Sequence, residues 1–182
     1  MKLLWILPYT PTPIRTRPYY LLKALLKRGH ELTLATRWET EDERAALSAL
    51  HAQGVRVLAE RLSKVQALVN MALAFAQGYP LQIGYSWHPI LARRIERLLR
   101  AEDFAAVHVE HLRGSAYARL AQRVLVEREQ ANRLVWDSVD CISLLFEQAA
   151  QGSRSFFGRW VTRLELPRTR RYERALVGSF PA

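Results

Sequence analysis

Glu110, His111 and Arg113 set a carboxylate, an imidazole and a guanidinium within four residues. Such a set can supply a base, a proton shuttle and an anion contact, or form an ordinary polar rim. His108 alternates with Glu110 along an apolar run and reads as a packed strand histidine rather than a ligand. A second stretch, DSVDCIS, carries Asp137 and Asp140. A carboxylate there can orient a hydroxyl or act as a base, and Asp140 also stands where it could cap the following helix. Cys141 falls in the first turn of that helix, with nothing nearby to complete a nucleophilic site, and is expected to be a small buried hydrophobe. The third stretch, PYTPTPIRTRP, brings Thr10, Thr12, Arg15, Thr16 and Arg17 ahead of a helix begun by Pro18. Unpaired helix N–H groups beside guanidinium forks suit phosphate, although prolines that stiffen a turn and solvated arginines would account for the same residues. Neither GxGxxG nor GxxxxGK[ST] occurs, so the dinucleotide fingerprint and the P-loop are both missing.

These three stretches share a context: each follows a short apolar run. Strands are expected at Lys2 to Leu7, Glu31 to Thr36, Val55 to Leu58, Ala105 to Glu110 and Arg133 to Asp137. Between them, helical patterns run from about Pro18 to Arg28, Thr40 to Gln53, Leu62 to Ala76, Arg93 to Arg100, Ser115 to Val124, Asp140 to Ala150 and Phe156 to Leu176. Leu21, Leu22, Leu25 and Leu26 stripe the first helix, and Gly29 stands where its C-terminus wants a left-handed residue. Strand and helix alternate throughout, which predicts an α/β, Rossmann-like, doubly wound and mostly parallel sheet with helices on both faces and the first strand central. Ligands of such sheets bind at the carboxyl ends of the strands. The loops after Leu7, Glu110 and Asp137 are therefore expected to open on one edge.

At 182 residues the chain reads as one domain. Its 49% hydrophobic and 24% charged residues put it far from intrinsic disorder. The 27 Lys and Arg against 17 Asp and Glu leave a formal charge of +10, which favours an anionic partner: nucleic acid, acidic lipid headgroups or a phosphorylated small molecule. With one cysteine there is no intrachain disulfide and too few thiolates for a metal site, and no metal is expected. The apolar run at Leu3 to Leu7 stops at Pro8, short of the ~7–15 residues of a signal-peptide core, and a cytoplasmic location is expected. Arg154 to Arg174 hold seven arginines and two glutamates, with Phe156, Phe157, Trp160 and Leu164 as an apolar side. That is the composition of a basic helix at an anionic membrane surface, with Arg159, Trp160, Arg163, Arg170 and Arg171 as the contact residues, and equally of a solvated, salt-bridged face. No nucleic-acid fold or aromatic RNA-stacking motif accompanies the charge, so nucleic acid is not expected as a partner.

KLLWILPYTPTP, LLKALLKRGHELTLAT with its helix, GHE and strand, VHVEHLRGSAYA, VWDSVDCISLLFEQAA and RLELPRTRRYERAL together resemble the N-terminal half of a family 4 glycosyltransferase. The last three phrases are similar to a bacterial subgroup of such sugar transferases. The resemblance spans essentially the whole chain. It implies one half of a GT-B architecture and a retaining hexosyltransferase reaction, in which a sugar passes from a nucleotide-sugar co-substrate to a glycan, lipid-linked or small-molecule acceptor, with no metal or prosthetic group. It also implies that residues 1–182 form the acceptor domain, with Glu110, His111 and Asp137 near the reacting carbon and Thr12, Arg15, Arg17, Arg113 and Asp140 on the acceptor. The donor-binding domain, with its acidic E-x7-E motif, would lie in cis or on a separate chain, because ALVGSFPA ends where the family continues into it. The first loop lacks the glycine pair of many members, which argues against contact with the donor diphosphate. Asp137 stands where several members carry a histidine. The alternative expectation is a noncatalytic basic α/β module that docks on anionic membrane.

Overall fold

The computed structural model describes residues 1–152 and 156–180, with side chains to 149 and again from 162. Five strands, β1 (Lys2–Ile6), β2 (Glu31–Trp38), β3 (Arg56–Arg61), β4 (Ala106–Glu110) and β5 (Leu134–Asp137), form one sheet in the order β3-β2-β1-β4-β5. Every pairing is parallel, and β1 is central. Trp5 is in register with Leu34 and His108, and Glu110 with Asp137, so these side chains share a face.

The central strand is apolar in both directions because both its faces are covered. Leu4 and Ile6 join Ala35, Val107 and Val109 under α5 (Pro89–Ala101) and α6 (Ser115–Glu127). Trp5 and Leu7 point the other way and pack with Leu22 of α1 (Thr16–Lys27) and Leu47 and Leu50 of α2 (Glu41–Ala52). Full burial of one such side chain contributes about 1.5–3 kcal/mol. A smaller core of Ile83, Leu112, Ile142, Tyr172 and Leu176 ties α4 (Leu81–Ser86) and α7 (Ile142–Gly152) to α8 (Phe156–Val177). α1 ends as its glycine requires: Gly29 has φ +76° and donates to Leu26 O, while His30 N donates to Leu25 O.

Two helices depart from the periodicity. α5 begins at Pro89 rather than near Arg93, because proline suits a first helical position and the His88 imidazole accepts the Leu91 N–H at 3.3 Å. α4 has too few residues to show a period, and tertiary packing holds it instead. A Cβ on Gly84 would lie 2.4 Å from Asn70 O of α3 (Lys64–Ala76), so α4 crosses α3 at a separation only glycine permits. Among the described residues, no helix is long and apolar enough to cross a membrane.

Candidate functional site

The loops after β1, β4 and β5 do open on one edge. Arg17, in the first turn of α1, reaches across it: Nη1 donates to Glu110 Oε1 at 2.7 Å and Nη2 donates to Asp137 Oδ2. The two carboxylates end adjacent strands, and the +1 charge between them is what allows both to stand there. Glu110 is 1% exposed. Burial pushes its pKa above the usual carboxylate range, and Arg17 opposes that shift without overcoming it. Burial pushes Asp137 up as well, but the Arg17 hydrogen bond, the Val139 N–H at 3.0 Å and the Arg17 charge outweigh it and hold Asp137 below its ordinary value. The Asp137 hydrogen bond, Glu110 and the charges of both in turn raise Arg17. The edge therefore holds two carboxylates whose pKa values are displaced in opposite directions, Glu110 upward and Asp137 downward.

Two further groups face this pair. His108 stacks edge-on against Trp5 at 4.9 Å, with its Nε2 4.0 Å from Asp137 Oδ2. It is packed, as its position in the strand predicts, yet it also looks onto the site, and burial lowers its pKa. Trp5 Nε1 and Glu110 Oε2 are both buried without a formed hydrogen bond, although the indole is close enough to favour the ionised carboxylate slightly.

His111 sits at the turn with φ +72°, uncommon for a residue with a Cβ, and its N–H donates to Asp137 O at 2.7 Å. Its ring turns away from the carboxylates. Nδ1 accepts the Arg113 N–H at 3.1 Å, and the ring meets Tyr9 edge-on at 6.1 Å. Burial first, and Arg113 second, lower its pKa to about 4, so the imidazole is neutral near pH 7 with its proton on Nε2. Gly114 closes this turn, where a Cβ would press on Val109 at 3.1 Å.

The remaining expectations divide. Arg15 donates to Thr10 O at 2.7 Å and to Glu43 Oε1 at 3.3 Å, and it lies over the Tyr9 ring. With Arg17 engaged as well, the first loop offers no vacant phosphate cradle, because both guanidinium groups already have anionic partners. Thr12 contributes its carbonyl, which accepts the Arg15 N–H and closes the turn. Asp140 is exposed and does not cap α7: the Ile142 and Ser143 N–H groups go to the Glu173 carboxylate, at 2.8 and 3.3 Å. Cys141 is exposed, contrary to its expected burial, because α7 starts one residue later and leaves it in the loop. On α8, Arg170 pairs with Glu147 and Arg171 donates to Gly78 O, whereas Arg163 is exposed; the side chains of Arg159 and Trp160 lie outside the described residues. Glu165 and Glu173 have the spacing of an E-x7-E motif, but their carboxylates receive the N–H groups that open α4 and α7.

Sequence reasoning missed a second cluster at the end of β2. Arg37 is 3% exposed, donates to Glu39 and lies over the Tyr85 ring at 4.7 Å. The Tyr85 hydroxyl donates to Glu39 at 2.7–2.8 Å. Arg113 joins from the turn after β4, with Nε donating to Gln82 Oε1 at 3.4 Å. Arg37 and Glu39 had a legible signal, a charged pair closing an apolar strand; Gln82 and Tyr85 had none, since α4 has no period. A separate cleft of about 360 Å³, lined by Leu73, Trp87, Arg119 and Tyr172 among others, carries no carboxylate. Among the described residues, no group of three His, Cys, Asp or Glu is arranged to hold a metal.

The protein is a Rossmann-like α/β domain with a charged carboxyl edge. Comparison with known protein families, with curated proteins and with solved structures found no match.

Proposed function

We propose that the chain is the acceptor-binding domain of a glycosyltransferase, of the retaining hexosyltransferase type, whose donor is a nucleotide-sugar. The observation that carries this reading is the joining of Arg17, Glu110 and Asp137 at the carboxyl ends of β1, β4 and β5, on a sheet without a dinucleotide glycine loop. An acceptor hydroxyl needs an ionised acceptor atom to orient it and draw on its proton as its oxygen takes the sugar carbon and the leaving phosphate departs. Asp137 suits that role, being ionised and part-exposed. Glu110 is better placed to position Arg17 than to meet substrate, because it is buried. His111 orders the turn through Asp137 O and Arg113 N. Catalysis of this kind depends on holding two reactants in near-attack geometry, worth about 7–11 kcal/mol. This domain supplies one wall, and the resemblance assigns the donor grip to another.

The test incubates the purified 182-residue protein with a panel of nucleotide-sugars and sugar acceptors, reading nucleotide-diphosphate release and amide NMR shifts. The expected result is no release above a protein-free blank, with acceptor-induced shifts in residues 8–17, 110–115 and 137–141. Turnover abolished by Asp137→Ala would move the donor site into this chain and overturn the acceptor assignment, as would an acceptor panel that leaves these residues unshifted.

One observation favours the second reading, a module that docks on anionic membrane. Val65, Leu68, Val69 and Leu73 form one exposed apolar face of α3, and the exposed arginines of α8 include Arg163 and Arg174. An in-plane helix with basic neighbours suits an anionic bilayer. Binding to anionic vesicles should then weaken with salt, since exposed charges are screened beyond about 8–10 Å, and fail in Leu68→Glu with Leu73→Glu. Equal partition to neutral vesicles would refute it.

A further inference from the structure

Arg113 differs from its neighbours in having no counter-ion. Arg17 has two carboxylates, Arg15 has Glu43 and Arg37 has Glu39, whereas among the described residues no carboxylate pairs with Arg113. Its one side-chain partner is Gln82 Oε1, through Nε, and both Nη groups are left accessible without a hydrogen bond. Unpaired polar groups lie around it: Gln82 Nε2 and Arg37 Nε are buried without partners. Tyr9 and Tyr85 also influence its charge, as do Arg37 and Arg15. Burial, and next the Arg37 charge, lower the pKa of Arg113, as befits a cation held in a half-buried, like-charged place. Leaving a buried charge without a partner costs stability, and the fork of an arginine matches two oxygens of a planar or tetrahedral oxyanion.

We infer that Arg113, backed by the Arg37 charge and by Gln82, forms an oxyanion site at the carboxyl edge of the sheet, which receives a phosphate or carboxylate group on a small-molecule ligand. The Nη groups of Arg113 grip two oxygens, and Gln82 is freed to turn its amide N–H toward a third. Assigning this anion to the sugar acceptor rests on the acceptor-domain reading, and makes that acceptor a sugar phosphate or a sugar acid. The site itself stands without that reading.

The experiment titrates the purified full chain with inorganic phosphate, a hexose phosphate, a hexuronic acid and the neutral hexose, followed by calorimetry and by the rise in melting temperature. At least one anionic sugar is expected to bind about tenfold or more tightly than the neutral hexose. Arg113→Met should lose that preference, and Arg113→Lys, which keeps the charge but not the fork, should retain part of it. Arg97→Met, on the exposed side of α5, should bind as wild type. Preference for the hexose phosphate identifies a phosphate ligand, and preference for the hexuronic acid a carboxylate. Inorganic phosphate alone raising the melting temperature through Arg113 supports the oxyanion site even if no sugar binds, an outcome that would count against the acceptor reading only. Anion affinity unchanged in Arg113→Met, or no anion bound at millimolar concentration, overturns the inference.

Discussion

Arg17 and Arg113 stand on the same edge of the same sheet and are treated oppositely. Arg17 is 46% exposed, where water would screen it, yet it is given two carboxylates, one of them buried. Arg113 is half-buried, where a counter-ion would help it most, and has none among the described residues. The difference separates a charge that holds the architecture from a charge left available to a ligand. Arg17 neutralises two strand ends that would otherwise repel, and so fixes the distance between β4, β5 and α1. Nothing in the fold would part if Arg113 lost its charge.

Substitution is expected to affect the two arginines in opposite ways. Arg17→Met leaves Glu110 buried beside Asp137 with no cation between them. The expected loss is on the order of 2–3 kcal/mol at pH 7 by urea denaturation, below the 3–5 of a fully buried pair because Arg17 is part-exposed. That loss should shrink in acid as Glu110 takes up a proton, since its raised pKa makes it the first of the pair to neutralise.

Acid tests the turn that carries Arg113. His111 titrates near 4 in the folded protein and near 6.5 unfolded, so the unfolded chain binds more protons between those values. Its stabilisation is present above about pH 6.5 and is lost as pH falls through about 4. His88 and His108, lowered mainly by burial, act in the same direction. His111 alone implies a loss of about 2 kcal/mol between pH 7 and pH 4.5, to which the other two imidazoles add. Stability that holds level over this range would mean that the imidazoles protonate freely in the fold.

Tyr85→Phe probes the support behind Arg113. It removes the hydroxyl from Glu39 and should cost about 1.5–2 kcal/mol, the low end for a hydrogen bond to a charged group because Glu39 is part-exposed. The smallest change is expected at Arg113 itself. Arg113→Met should leave stability within about 0.5 kcal/mol of wild type or raise it, because a desolvated cation without a partner is replaced by an apolar side chain of similar length. A loss above 2 kcal/mol would place Arg113 with Arg17 among the charges that hold the fold.

How much of this was legible follows from the length scale of each feature. The strands at Lys2 to Leu7 and Glu31 to Thr36 announce themselves because each is an apolar run between turn residues, and the helix after the first loop because its leucines repeat at helical spacing. Glu110 and Asp137 could be singled out because a polar residue ending an apolar strand stands at the sheet edge. Their opposite pKa shifts could not, since burial of one and exposure of the other depend on the surrounding helices. α4 was hidden because six residues do not establish a period.

The sequence by itself determined the alternation of strand and helix, the parallel sheet with β1 at its centre, and the edge on which the three polar loops meet. All of these follow from local propensity, hydrophobic periodicity and the handed crossover of βαβ units. Only the tertiary structure decided which charges neutralise one another. Arg17 and Asp137 are 120 residues apart, Gln82 and Arg113 are 31 apart, and Glu39 and Tyr85 are 46 apart. Pairings at such separations have no periodic trace in the chain. They are set by where the packed helices come to rest, so the lack of a carboxylate at Arg113 among the described residues could be recognised only once its neighbours Arg15, Arg17 and Arg37 had found theirs.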